Sequence, residues 1–455
     1  MNEGDVRVKK SGKFSIALGV FGQSLLTGII TSYITYFGTD ILGVSALALS
    51  NILLISKLFD GVTDIAMGVV IDKTKSKAGK ARPWILRSIL PFALFSILLF
   101  ATPTGFSNGA KLTWIFILYN LYALAYTALG CAMNTLNIRL TRNEKEINSI
   151  STFLMFGTIF GNVVINAVAV SALTALSGGN ASFTQGGFIK FTVILAVVCT
   201  VGALLTYLNT KELPDVEVAE DGKTPMLAGI KSLLTNKYWL MQVANTFFIY
   251  FGLNARLAAM IYYGIYVLGN PGLITVLVIA DNIPGLLMMP VALGLCNKFG
   301  KRKVALTGLC LSMIGFALMF LNIHNFPLFI AGLIIKGIFF APVQGIGNAF
   351  IVDSVVYGEW KTGVKAEGMA FSAVSFANKV SGGLAGIIVG WVLTFTGYVA
   401  NAQQSPTAIK GIIFLYIGVT FICTIGQIIT FALYDLDGKI DGIRAELTAR
   451  KISAK

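Results

Sequence analysis

Seven charged residues lie inside long apolar stretches of this chain: Lys57, Asp60, Asp64, Arg256, Asp281, Lys336 and Lys379. Asp60 and Asp64 are four residues apart, so on a helix they share one face, with Lys57 one turn earlier on the same side. Two carboxylates on one face make an oxygen-rich cation site. Such a pair can hold Na⁺, or share a proton because each negative charge disfavours ionisation of the other. Thr63 and Thr127 are candidates for additional neutral oxygens. The competing reading is a structural ion pair with Lys57, but one cation does not neutralise two anions.

Arg256 follows Asn254 among aromatic residues (Phe247, Phe248, Tyr250, Phe251, Tyr262, Tyr263). A guanidinium beside amphipathic rings suits a polyhydroxylated or anionic ligand. A plain pair with Asp281 is the alternative. Lys379, after Asn378, is placed to reach the Asp60–Asp64 carboxylates from another helix. Lys336 is expected nearer a membrane face, where a long side chain snorkels. Asp72, Arg82, Asp353, Glu359 and Lys361 are candidate partners in a cytoplasmic gate.

The elements that position these groups follow from composition. Of 455 residues, 55% are hydrophobic and 12% charged, against roughly 25% charged in soluble domains. A membrane helix needs roughly 20 apolar residues. About twelve such stretches lie near 14–38, 45–71, 84–103, 111–138, 149–174, 187–209, 238–268, 273–297, 303–322, 327–352, 367–396 and 409–434. They are too long for barrel strands, so the predicted fold class is an all-α membrane protein. The longest polar break, 210–237, separates six spans (1–209) from six (238–455) and reads as a cytoplasmic linker.

A net charge of +14 raises the question of nucleic acid. The cations instead collect in alternate loops and at both ends, at Arg7–Lys13, Lys73–Arg87, Arg139–Lys145, Lys211–Lys237, Lys298–Lys303, Lys361–Lys365 and Lys439–Lys455. That asymmetry predicts a multi-pass inner-membrane protein with both termini cytoplasmic, its basic loops facing anionic lipid. The five cysteines give no disulfide framework, and the single histidine, His324, makes no metal site. No nucleotide-binding Gly-x-x-x-x-Gly-Lys loop, catalytic triad or redox pair occurs, so an enzyme is not expected and no cofactor is called for beyond Na⁺ or H⁺.

A weak repeat relates the halves. Gly68…Asp72-Lys73…Gly79-Lys80-Ala81-Arg82 follows the second span, and Gly294…Asn297-Lys298…Gly300-Lys301-Arg302 follows the eighth. Repeats of this kind mark transporters whose site lies near the bilayer midplane. Gly157 and Gly161, and Gly382, Gly386 and Gly390, have the four-residue spacing that lets helices approach closely.

Several segments carry a family resemblance. They are Lys57-Leu-Phe-Asp60-Gly-Val-Thr-Asp64-Ile-Ala-Met-Gly68, then Asp72-Lys-Thr-Lys-Ser-Lys with Gly79-Lys-Ala-Arg82-Pro-Trp84, and Asp353-Ser-Val-Val-Tyr-Gly-Glu359-Trp-Lys361-Thr-Gly between the tenth and eleventh spans. The chain resembles the glycoside–pentoside–hexuronide:cation symporters of the major facilitator superfamily, of which the melibiose permease is one. The resemblance implies two pseudo-symmetric six-helix bundles, and uptake of a sugar with Na⁺ or H⁺ by alternating access. It gives Asp60, Asp64 and Thr127 the cation site and Lys379 a role in cation and sugar binding. It also implies a monomer.

The chain departs from the melibiose-type sugar site. Two acidic positions in the first and fourth helices are Ser24, beside Gln23, and Gly130. A tryptophan is Asn134, an asparagine near the cation site is Thr63, and an arginine of the fifth helix is absent. The candidate substrate-binding residues are therefore Gln23, Ser24, Gly130, Asn134, Asn254, Arg256 and Lys379. A cation-coupled carrier of a lysolipid-like amphiphile or another anionic small molecule, and a non-transporting membrane sensor, are the competing readings.

Overall fold

The computed structural model describes residues 8–76, 78–141, 143–179, 183–213, 226–323, 325–364 and 367–453. His324 lies outside them. The described residues form helices and no strand. Six long helices come first: α1 (Lys10–Tyr36, continued by a π-helical turn over Phe37–Ile41), α2 (Ala46–Asp72), α3 (Arg82–Phe100), α4 (Asn108–Arg139), α5 (Glu144–Leu176) and α6 (Gln185–Asn209). A short α7 (Met226–Leu234) precedes α8 (Lys237–Tyr262, continued by a π-helical turn over Tyr263–Val267), α9 (Leu273–Phe299), α10 (Lys301–Leu321), α11 (Phe326–Thr362) and α12 (Glu367–Phe395). The last are α13 (Pro406–Leu433, with a π-helical turn over Phe414–Gly418) and a terminal α14 (Ile440–Ser453).

Ten of these helices are long and apolar enough to cross a membrane, and α9 adds a shorter apolar stretch, Leu273–Met288. The remaining long helix, α8, carries Gln242, Asn245, Asn254 and Arg256, and these polar residues lower its hydropathy. All twelve predicted spans correspond to a long helix. The clearest difference is α11. The segment from Asp353 to Thr362, expected between two spans, continues the helix to a left-handed Gly363 (φ 72°), whose N–H closes on the Glu359 carbonyl. Helix starts are capped where a side chain is suited to it: Ser107, Thr184 and Asn325 accept from Ala110, Gly187 and Leu328 N–H.

The chain divides into two compact units. The first comprises Met1–Glu217, Leu257–Val276 and Gly386–Ile412; the second comprises Val218–Arg256, Leu277–Ala385 and Ile413–Lys455. In the first, α1 packs between α5 and α6 through glycines. A Cβ on Gly22 would lie 2.5 Å from Cys199 Cα, on Gly161 2.8 Å from the Phe21 carbonyl, and on Gly202 2.6 Å from the Leu18 carbonyl. Backbones meet because nothing projects between them. In the second unit Gly337 of α11 plays this part against α9, where a Cβ would lie 2.6 Å from the Asp281 carbonyl. Of the three regularly spaced glycines of α12, only Gly390 is at such an approach, against Ala46 and Ser50 of α2; Gly386 faces open space.

The sequence repeat is a repeated clasp. In the first unit the Glu212 carboxylate, just after α6, accepts from Lys80, Ala81 and Arg82 N–H at 2.8, 2.9 and 2.7 Å. It lies against Gly79 (φ 103°), at the start of α3. An anion there meets the free N–H groups and the positive end of the helix dipole. Arg82 turns back to donate to the Tyr207 carbonyl at 2.7 Å. In the second unit Asp437, just after α13, accepts from Arg302 N–H at 3.1 Å beside Gly300 (φ 87°). Arg302 then donates to the Phe431 and Ala432 carbonyls. Each clasp ties the last long helix of its repeat to the third.

The α1 packing predicts that Gly22→Val lowers the melting temperature in detergent, because backbone cannot yield and overpacking costs about 1–3 kcal/mol. Gly105→Ala, where a Cβ meets nothing within 4 Å, should melt as the parent does. Equal melting of the two variants would show that the α1–α6 approach is not tight.

Candidate functional site

The i,i+4 carboxylates of α2 meet one hydroxyl of α4. Thr127 Oγ1 lies 2.9 Å from Asp60 Oδ1 and 2.7 Å from Asp64 Oδ1. Asp60 and Thr127 are buried (3% exposed each). A threonine hydroxyl has one hydrogen, so it donates to one carboxylate at a time. Its oxygen and both carboxylates surround a point where a cation or a shared proton would relieve the repulsion. Thr63, expected to add an oxygen, donates instead to the Asp60 carbonyl of its own helix at 3.0 Å. Lys57 directs its ammonium to the Tyr119 ring, 5.9 Å from the centroid.

A cavity of about 420 Å³ lies among α1, α4 and α5. Gln23, Ser24, Gly130 and Asn134, all expected at the substrate, line it. Thr27, Tyr126, Thr158 and Asn162 line it as well and were not anticipated. Thr158 and Asn162 share a face of α5 at i,i+4 spacing in an apolar run, the same signal that marked Asp60 and Asp64. The lining is uncharged. Its amides and hydroxyls donate and accept in both directions, as a polyhydroxylated ligand requires. A Cβ on Gly130 would lie 3.3 Å from Gln23 Nε2, so the glycine leaves room for that amide. Gln23 Nε2 donates to the Tyr126 carbonyl at 3.4 Å, and Tyr126 adjoins Thr127.

Arg256, Asp281 and Lys336 form one cluster in the second unit. Both cations are ion-paired to the Asp281 carboxylate, one on each oxygen. All three side chains are nearly buried: 12% exposed for Arg256, 6% for Asp281 and 7% for Lys336. This corrects the expectation for Lys336, which does not snorkel. The absence of a Cβ at Gly337 lets α9 and α11 approach and brings Asp281 within reach. For Arg256 the ion pair is the observed arrangement. Asn254 donates to the Tyr250 carbonyl at 2.6 Å and faces Gly382. Lys379 is half-buried on α12.

Arg82, Asp353 and Lys361, candidate gate residues, each meet groups of their own unit. Arg82 belongs to the first clasp and stacks on Tyr207, 4.4 Å from its ring centroid. Asp353, 1% exposed, pairs with Lys301 and with Arg444 of α14. Lys361 lies 6.0 Å from the Tyr357 ring centroid, and Glu359 accepts the N–H that ends α11. The Asp72 side chain lies outside the described residues.

Long apolar helices, carboxylates within them and a polar cavity among α1, α4 and α5 define a multi-pass membrane transport protein, not an enzyme. The chain belongs to the MFS/sugar transport protein family, whose model matches residues 15–438. It is 29% identical over 415 residues to the isoprimeverose transporter of Lactiplantibacillus pentosus, covering 90% of this chain and 86% of that one. It is 30% identical over 405 residues to a putative sulfoquinovose importer of Salmonella typhimurium, covering 88% and 84%. Its fold is similar to the crystal structure of a D-xylose–proton symporter (TM-score 0.64, 14% identity, 92% of this chain and 96% of that one). The major facilitator fold read from the sequence is the fold observed.

The charge cluster predicts an asymmetry between two substitutions. Asp281→Asn leaves two buried cations without an anion, and breaking a buried pair costs about 3–5 kcal/mol. Lys336→Met leaves the Arg256–Asp281 pair intact. Thermal melting of both variants should therefore show much the larger drop for Asp281→Asn. A larger drop for Lys336→Met would mean that Lys336 contributes more than the surplus charge.

Proposed function

We propose that this protein imports a sugar or glycoside across the cytoplasmic membrane by symport with Na⁺ or H⁺. The observation that carries the reading is the convergence of Asp60, Asp64 and Thr127, together with an uncharged cavity of amides and hydroxyls that Tyr126, the neighbour of Thr127 in the chain, helps to line. The cation occupies the carboxylates, and the sugar occupies the cavity of α1, α4 and α5. Tyr126 and Thr127, adjacent on α4, connect the two. The relatives named for isoprimeverose and sulfoquinovose support a sugar-like cargo. The basic loops support cytoplasmic termini, and the protein works as a monomer in contact with anionic lipid.

Binding follows an order. Two carboxylates four residues apart on one helical face repel each other, and a cation relieves that repulsion. Cation binding frees Thr127 from satisfying both, settles α4, and so fixes the Tyr126 carbonyl that positions Gln23. The sugar then finds its hydrogen-bonding groups in place, and the loaded protein changes the side to which it opens.

The test is sodium and proton flux into reconstituted vesicles on addition of glycosides, pentosides and hexuronides. One sugar should drive cation movement in the parent protein. Asp64→Asn should reduce the coupled flux by about 10–100-fold, the range for losing an interaction with a charged group. Thr127→Val should weaken cation dependence less than Asp64→Asn. If no sugar moves a cation while the protein is folded, the assignment fails.

A further inference from the structure

The ends of α1 and α8 carry the same eight-residue pattern. Tyr36-Phe-Gly38-Thr39-Asp40-Ile-Leu42-Gly43 closes α1, and Tyr262-Tyr-Gly264-Ile-Tyr266-Val-Leu268-Gly269 closes α8. The backbone repeats as well. Each segment ends in a π-helical turn, with Leu42 N–H on the Phe37 carbonyl and Leu268 N–H on the Tyr263 carbonyl, both at 3.0 Å. Each then closes with a longer bond, Val44 N–H to Gly38 (2.9 Å) and Asn270 N–H to Gly264 (3.1 Å). Each reverses at a left-handed glycine, Gly43 (φ 70°) and Gly269 (φ 66°). A short π segment at the end of a helix is unusual and recurs at functional positions.

The equivalent positions in the two patterns, Asp40 and Tyr266, bond to each other. Tyr266 donates to Asp40 Oδ1 at 2.6 Å, and Tyr398 donates to the same oxygen at 2.6 Å. Thr39 Oγ1 lies 2.6 Å from Oδ2, and it also lies 2.8 Å from Tyr262 Oη. Asn401 donates from its side chain to the Asp40 carbonyl at 2.7 Å and from its backbone to Tyr266 Oη at 3.1 Å. The rings of Tyr36, Tyr262, Tyr266 and Tyr398 pack edge to face around this knot. Asp40 is only 7% exposed.

Among the described residues, every group that donates to the Asp40 carboxylate is neutral. Lys111, the cation bonded to the same turn, gives its ammonium to the Leu42 carbonyl at 2.9 Å. A carboxylate is an expensive choice for a permanent anchor in such a place. It suits a contact that is made and broken, because an anion released into water is fully hydrated. The hydroxyls it leaves behind are likewise satisfied by water. The same end is closed by Thr275, which donates to the Ala167 carbonyl at 2.6 Å, and by the contact of Gly390 with Ala46 and Ser50.

We propose that the Asp40 knot is the latch of one mouth of the transporter, made when that mouth is closed and broken when it opens. The inference rests on the transport reading. In alternating access the sequence repeats 1–209 and 238–455 part at one end at a time, and Asp40 belongs to the first while Tyr262, Tyr266, Tyr398 and Asn401 belong to the second. The latch needs no ion of opposite charge, so it closes whether or not the Asp60–Asp64 site is loaded. The geometry assigns Tyr266 and Tyr398 as its positioning residues.

The test is a distance measurement that requires no substrate. Spin labels are placed at Ser45→Cys and Asn270→Cys, both exposed at this end, in a protein whose five native cysteines are replaced by alanine. Pulsed dipolar spectroscopy in lipid nanodiscs then reads the separation. The parent should show mainly a short distance. Tyr266→Phe and Tyr398→Phe each keep the ring and lose the hydroxyl, and should raise the ratio of long to short distances by about tenfold, the factor for one hydrogen bond to a charged group. Asp40→Asn should raise it further. Tyr33→Phe is the control: it lies on the same helix and is buried, and its hydroxyl has no hydrogen-bond partner among the described residues. If both tyrosine variants at the knot match Tyr33→Phe, and melt as the parent does, the latch is refuted, even should Asp40→Asn fail to fold. If distances shift as expected but no sugar moves a cation in the flux assay, the latch stands and the cargo assignment falls.

Discussion

Placing an ionised group inside an apolar span is costly, by at least ~2.5 kcal/mol at a helix centre, and each such group here is met by a different device. Asp281 carries two cations, one on each carboxylate oxygen. Asp60 and Asp64 share a threonine hydroxyl. Asp40 is held, among the described residues, by neutral donors, chiefly tyrosine and threonine hydroxyls. The devices differ in what they permit. A triad of opposite charges is hard to separate, because parting it strands an ion. Two neighbouring carboxylates that share a hydroxyl attract a cation. An anion held by neutral donors is released cheaply into water. On the proposed readings, the three carboxylate sites divide into one that joins helices, one that binds and one that opens.

These roles depend on a scaffold that is itself repeated. The clasp of Glu212 on Gly79–Arg82 and that of Asp437 on Gly300–Arg302 fix the third helix of each repeat to its last. Glycine is required at both because φ is positive and because the carboxylate occupies the space a side chain would take. The matched ends of α1 and α8 show the same economy. One local pattern makes the same π-terminated helix end twice, and one of the four differences between the copies, aspartate for tyrosine, turns the pair into donor and acceptor.

Local spacing made the helices and the Asp60–Asp64 pair legible in the sequence, and the family resemblance supplied Thr127. An apolar run of sufficient length specifies a span without reference to the rest of the chain, and carboxylates four residues apart specify a shared face. What required the structure was pairing at a distance. Lys336 is 55 residues from Asp281, and nothing near either residue announces the partner; the spacing left snorkelling open, and only the close approach at Gly337 decides against it. Glu212 looked like one more acid at the edge of a linker. The polar residues Thr158 and Asn162 were readable by the rule that found Asp60 and Asp64, yet uncharged groups in an apolar run draw less attention than charged ones. The Asp40 pattern could also have been found, by aligning the two repeats at the ends of α1 and α8 and not only in the basic loops.

Coupling, on the proposed reading, runs through Thr127 and its neighbour on α4. The Thr127 hydroxyl can point its one hydrogen to either carboxylate, so it has two settings. A bound cation removes the competition and leaves Thr127 as a neutral ligand. Because Tyr126 precedes it in the chain and offers its carbonyl to Gln23, the setting of α4 is transmitted over one peptide unit to the amide that faces the cavity. No long pathway is needed. The cation site and the sugar site are coupled because neighbouring residues of one helix serve both, and an ion that orders the first lowers the cost of ordering the second.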